Sequence, residues 1–259
     1  MILHPPFSRR REGFTLMEVL VVVAIILVLA AILVPTIAAL QNRAHKATAT
    51  KIIKDLCTTS GLYAGENNDE LPQEDVKGSD SWAAAQDPAN ARAWYNALPK
   101  MMGHRNVADF AATPRAFYSK ENILFLPGAT YPESDRKLVK PLFAIGINNK
   151  LQRKDADGKK PPVKRVQITN PSRTPLFLEQ GLPSEKKSAP MQSNKDFDGA
   201  PKASAHSFPG RYGGKGIIGF VDGHAEEWYA KDLLNETNQF PFPPTDIIWM
   251  RSPEEDPNK

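Results

Sequence analysis

The sequence predicts an α+β protein, with one long N-terminal helix packed on a mainly antiparallel β-sheet that carries many loops. The helix is expected to be a membrane anchor in its first half and amphipathic in its second. Three observations carry this expectation. An apolar run from Phe14 to Val34 holds 21 residues and one charge. The stretch after it keeps apolar residues at spacings of three and four as far as Tyr63, as one face of a helix requires. From Gly65 onward lie 20 of the chain's 23 prolines, about twice the ordinary frequency, which disfavours long helices and leaves short strands between loops.

The apolar run is long enough to cross a bilayer, since at about 1.5 Å per helical residue it matches the roughly 30 Å hydrocarbon core. A secretory signal peptide would be shorter and would end at a small-residue cleavage site, whereas this run continues into Pro35 without one. The segment is therefore expected to be retained. Arg9, Arg10 and Arg11 precede it and place the N-terminus in the cytoplasm, with residues after about 40 exported across the inner, cytoplasmic membrane. Glu18 is the anomaly, because an acid inside a membrane helix is expensive. It either snorkels to the headgroups or has a partner.

The stretch "REGFTLMEVLVVVAIILVLAAILVP" resembles the N-terminus of type IV pilins and of type II secretion pseudopilins, in both its basic leader and its apolar run. The resemblance implies a pilin-like fold. It also implies cleavage between Gly13 and Phe14 by a prepilin peptidase, methylation of the new N-terminus, and Glu18 as the acid on the fifth mature residue. Pro35 then stands where many pilins carry a helix-kinking proline. The implied division is a leader over 1–13, a long helix over 14–64 with 14–37 in the membrane, and an exported β-rich domain over 65–259. Cleavage would create an α-amine on Phe14, and a carboxylate in low dielectric is neutralised by an ammonium from a neighbouring subunit. Glu18 is thus expected to select a subunit register, and a head-to-tail contact that does not close repeats along a helical filament.

Composition agrees with an anchored, exported protein. About 190 residues beyond the helix suffice for a real core without metal or disulfide staples. The single cysteine, Cys57, excludes an internal disulfide and is expected to be a buried small apolar side chain on the helix. Net charge is +4, of which the leader, with three arginines and Glu12, supplies two. That balance does not point to nucleic acid.

Along the outer half of the helix, Ala49, Ile52, Leu56, Ser60 and Tyr63 form the apolar stripe, and Gly65 with "ENND" should end it. His45, between Arg43 and Lys46, belongs to a solvated face. A short helix is expected over 93–103, ending at Pro99 or Gly103, with Trp94 and Leu98 inward. Strand candidates are 122–126, 142–147, 163–169, 175–179 and 216–221. Asp222-Gly223 is the composition of a two-residue hairpin turn with positive φ angles, joining 217–221 to 224–229. This region also resembles pilin-like proteins of planctomycetes and verrucomicrobia, whose C-terminal part reads as a histidine, nine residues, then Asp-Gly. Tyr212 stands at that histidine's place, "SRTPLFLEQ" and "FAIGIN" match, and Leu126-Pro127 replaces a frequent Cys-Pro. Any role of the absent histidine or cysteine does not carry over.

Other motifs are weaker. "DADG" (Asp155, Asp157) and "DFDG" (Asp196, Asp198) place two acids at alternate positions before glycine, as calcium loops do. Both lack the third acid and the distal glutamate, so polar turns are expected, with calcium the alternative. "GGKG" at 213–216 lacks the length of a phosphate loop and leads into a strand. His206, Asp222 and His224, with Ser204 or Ser207, could only form a site if the fold gathered them. The basic stretch from Lys150 to Arg165 lacks aromatics for stacking bases, so a solvated loop is favoured over DNA capture.

Two function classes survive: a structural subunit of a pilus-like filament or pseudopilus, and an anchored binding module or enzyme using the helix as a tether. A tether needs neither the Gly-Phe junction nor Glu18, so the filament subunit is favoured and no enzyme activity is expected. Its expected partners are the prepilin peptidase, further copies of itself and other pilin-like subunits, the inner-membrane assembly machinery and the lipid bilayer, with no nucleic acid.

Overall fold

A computed structural model describes residues 14–75, 78–133, 135–152, 160–183, 185–234 and 247–255. Helix α1 spans Leu16–Glu66. The chain divides into two compact units, one ending at Asn42 and one beginning at Arg43. In the first unit the large apolar side chains from Leu16 to Leu40 all stand exposed, half or more of each in most cases. Such a surface is stable only when lipid or another apolar partner covers it, and by length and composition α1 can cross a membrane. Helical structure continues through residue 35, and the Thr36 hydroxyl donates to the Ile32 and Leu33 carbonyls at 3.1 and 2.8 Å.

In the second unit α1 buries Ala49, Ile53, Leu56, Cys57, Ser60, Tyr63 and Ala64. Ile53 sits at the centre of this face and Ile52, at its margin, is partly buried. The helix runs through Gly65 and ends at Glu66, where Asn68 and Asp69 take positive φ angles of 54° and 63°. These short polar residues tolerate that conformation best after glycine, and the Asp69 N–H returns to the Ala64 carbonyl at 2.9 Å.

Among the described residues the sheet has five strands, β1 Ile145–Asn148, β2 Pro175–Glu179, β3 Lys202–Ala203, β4 Lys215–Phe220 and β5 Ala225–Tyr229, in the order β3-β1-β2-β4-β5. All pairings are antiparallel except β1 with β3. β1 and β2 are buried throughout and β4 nearly so, which explains their almost unbroken apolar composition. One face, with Ile145, Ile147, Phe177 and Ile217, shares a core with Ile53 and Leu56 of α1 and with Trp94 and Leu98. The other, with Leu178, Ile218 and Phe220, packs on Phe208, Leu233, Ile247 and Trp249. Gly219 sets the seat of the helix, because a Cβ there would lie 2.5 Å from both Cys57 Sγ and Ile53 Cγ2.

Of the two ends expected for the short helix, Gly103 is the observed one: helix Trp94–Met101 runs past Pro99, buries Trp94 and Leu98, and stops before Gly103 at φ +75°. His104 N–H bonds to the Pro99 carbonyl and Gly103 N–H to that of Lys100, a glycine-dependent C-terminal cap. Other expected elements differ. Residues 122–126 form turns, not a strand, because Asn122 Oδ1 accepts from Leu124 N at 3.0 Å and its amide donates to the Phe117 carbonyl. Residues 163–169 hold a single bridge, Lys164 to Glu70, and a 3₁₀ turn over Arg165–Gln167. The β4–β5 register centres on Asp222, so its loop has three residues, Val221 to Gly223, and only Gly223 has a positive φ, +98°. Gly223 N–H returns to the Phe220 carbonyl at 3.0 Å, giving a turn with a glycine bulge. The two-residue turn occurs instead at Gly213-Gly214, where both φ angles are positive and Tyr212 pairs with Lys215.

Candidate functional site

Two places concentrate polar chemistry: the start of α1, where the sequence already singles out Glu18, and a buried charge cluster around Glu179 of β2 and Arg211. At the helix start Thr15 and Glu18 cap each other reciprocally. Glu18 Oε2 accepts from the Thr15 N–H and hydroxyl, both at 2.8 Å, and Thr15 Oγ1 accepts from the Glu18 N–H at 3.2 Å. This is a capping box, which satisfies two of the otherwise unpaired N–H groups at a helix N-terminus. Phe14 precedes it, 85% exposed. Gly13 and the three leader arginines lie outside the described residues. The single chain thus already gives Glu18 one task, as the N-terminal cap of its own helix.

The charge cluster has no counterpart among the sequence expectations. Arg211, 4% exposed, uses all five of its N–H donors. Nε and Nη2 hold Glu185 in a two-point pair at 2.7 Å each, Nη1 reaches Glu179 Oε1 at 3.0 Å, and the Ala144 and Gln180 carbonyls take the rest. Glu185 also accepts from the Thr130 and Leu182 amides, and Glu179 from the Ile217 amide and the Tyr212 hydroxyl. Burial pushes the Glu179 carboxyl above its usual range, against the pull of Arg211. Burial likewise raises Tyr212, with the Glu179 charge beside it adding to the shift. These bonds tie the ends of β1 and β2 to the loops around residues 130, 185 and 211. The family-like stretches "FAIGIN" and "SRTPLFLEQ" are the adjacent strands β1 and β2, and Tyr212 bonds to Glu179 of the second.

The weaker candidates disperse. Asp222 and His224 meet at the hairpin, where His224 stacks on Phe220 with ring centres 4.4 Å apart and Glu226 flanks it at 3.5 Å. His206 stands apart in the turn Ala205–Ser207, lowered from its ordinary pKa by burial. Ser204 and Ser207 bond each other there. Asp196 caps Ser193 and Asp198 holds Gln180 and Ala200, as polar turns do. Asp155 and Asp157 lie outside the described residues, among which no group of three or more His, Cys, Asp or Glu side chains is placed to hold a metal ion. In the basic stretch, Lys160 pairs with buried Glu74 at 2.8 Å and Arg165 with Asp69 at 3.2 Å, while Arg153, Lys154 and Lys159 lie outside the described residues. Cys57 is buried, and burial raises its thiol pKa.

Comparison with known proteins bears on the first of the two places. Residues 8–34 match the prokaryotic N-terminal methylation motif, with Gly13, Phe14 and Glu18 inside it. This N-terminal segment is type IV pilin-like. Over 60 residues the chain is 40% identical to the type IV wide pilus major component PilA4 of Thermus thermophilus. That stretch is 23% of this chain and 46% of the relative, so the chain spans about half the length of the pilin it matches. No solved structure matches. The methylation motif lies in the N-terminal segment, and the apolar helix of that segment fits membrane anchoring.

Proposed function

We propose that the chain is a structural subunit of a type IV pilus-like filament or a type II secretion pseudopilus, and not an enzyme. In this reading a prepilin peptidase cuts between Gly13 and Phe14, the N-terminus is methylated, and the inner-membrane machinery assembles the subunit through α1 with copies of itself or other pilin-like subunits. The domain faces the outside of the cytoplasmic membrane, and Pro35 bends α1. The observation that carries the reading is Glu18, five residues past the motif glycine and one helical turn from Phe14. Its carboxylate faces the end of the chain where cleavage would leave an ammonium, and the pairing of the two across subunits would fix register.

The capping box refines the test. Glutamine at that box position keeps the cap and deletes the charge, whereas Thr15→Ala removes the hydroxyl half of the cap and keeps the charge. Glu18→Gln is expected to be processed normally and to accumulate in the membrane, with polymer in the sheared fraction reduced tenfold or more, on the order of a lost charge pair. Thr15→Ala is expected to keep most of its polymer. Wild-type amounts of sheared polymer from Glu18→Gln, or a mature chain that does not begin at Phe14 by mass spectrometry, would overturn the proposal.

A further inference from the structure

Tyr212 reaches two acceptors with one hydrogen. Its hydroxyl lies 3.2 Å from Glu179 Oε1 and 3.5 Å from the His45 carbonyl oxygen of α1, and a phenol O–H donates only once. Gly128 keeps the ring against the helix: a Cβ there would come within 3.1 Å of the Tyr212 ring and hydroxyl and 3.2 Å of His45 Cβ. We propose that Glu179 and Tyr212 form a proton-operated latch on α1. With Glu179 ionised, Tyr212 donates to the carboxylate and the His45 carbonyl lacks this donor. When Glu179 takes a proton from solvent, its own O–H donates to the Tyr212 oxygen, and the Tyr212 hydrogen turns to the His45 carbonyl. One proton is gained, no other bond to Glu179 need break, and the helix acquires a hydrogen bond to the sheet domain.

The surroundings make this proton uptake favourable. Arg211 gives Glu185 two N–H groups and Glu179 one, so two buried carboxylates share a single guanidinium and one negative charge is left over. The other titratable groups facing Glu179 are Tyr212 and, through space, Glu185 and Tyr131. From β4 it meets the Ile217 N–H, and β4's Lys215 turns to Glu227, which Lys46 of α1 also holds at 2.7 Å. Burial raises the Glu179 pKa, in the direction that brings its proton uptake toward the working range. The latch does not depend on the filament reading.

Hydrogen exchange of the full chain in detergent micelles tests it. Protection of the peptide over residues 45–49, corrected for the intrinsic rate, should rise about fivefold as pH falls through the Glu179 titration, the worth of one net hydrogen bond. Tyr212→Phe should abolish that pH dependence, and an infrared band of a protonated carboxyl should grow over the same pH range and be missing in Glu179→Gln. Protection independent of pH in the wild type, an unchanged pH dependence in Tyr212→Phe, or no titrating carboxyl band in the wild type would each overturn the latch. The wild-type readouts stand alone if a variant fails to fold.

Discussion

Gly219→Ala tests how α1 is seated on the sheet. The added methyl would lie 2.5 Å from Cys57 Sγ and Ile53 Cγ2, more than 1 Å inside ordinary contact, and both obstacles are buried side chains of one helix. Neither can move without lifting the helix face or leaving its rotamer, so the cost belongs to the overpacking range of about 1 to 3 kcal/mol, toward its upper end. For a unit of this size each kcal/mol lowers the midpoint by roughly 2 to 4 °C, and the expected fall is about 4 to 12 °C. Thermal unfolding of the full chain in micelles, followed by the near-ultraviolet signal of the buried tryptophans, reads it. Cys57→Ala removes one obstacle, so the double variant should be less destabilised than the sum of the singles, by about 0.5 to 1 kcal/mol or more. An unchanged midpoint in Gly219→Ala, or strict additivity in the double variant, would show that the helix does not rest on β4 at this point.

Two further outcomes follow from buried charge. Arg211→Met leaves Glu179 and Glu185 buried without their guanidinium and should destabilise the domain by about 3 to 5 kcal/mol in denaturant unfolding at neutral pH, with partial recovery in acid. His206 has a folded pKa lowered by burial, so its contribution to stability is fully present above the ordinary histidine value and is lost as pH falls through that value toward the folded one. His206→Gln should flatten the stability profile in that window, as judged by midpoints measured between pH 5 and 7.5.

Legibility in the sequence follows the range of the interactions. The anchor and its acid are neighbours in the chain, so composition and spacing exposed them, whereas the glycine-aromatic junction took its meaning from the resemblance to pilins. β2 was readable end to end because "PLFLE" is a buried apolar run with turn residues before it. Asn122 to Leu126 misled, since "NILFL" has strand composition while the Asn122 side chain claims the local backbone for a turn. Asp222-Gly223 marked the hairpin, but the register that makes its loop three residues long is set by pairing across β4 and β5. The Arg211 cluster was invisible for a different reason: its partners lie 26 and 32 residues away, and nothing local distinguishes Glu179 or Glu185 from a surface acid. The one signal was an acid ending an otherwise apolar strand.

The Thr15–Glu18 box has a consequence for a solitary chain whose first helical turn meets lipid. A carboxylate stranded in lipid would draw in water or pull its helix toward the headgroups, and a reservoir of such chains would be prone to pair at random. Because Glu18 is already occupied by the two donors of Thr15, the solitary chain is quiet. In the filament proposed above, a partner's ammonium would have to displace a hydroxyl and an amide, which a donor of full positive charge can do and a neutral one does less well. On that proposal the box is a safety catch on the acid.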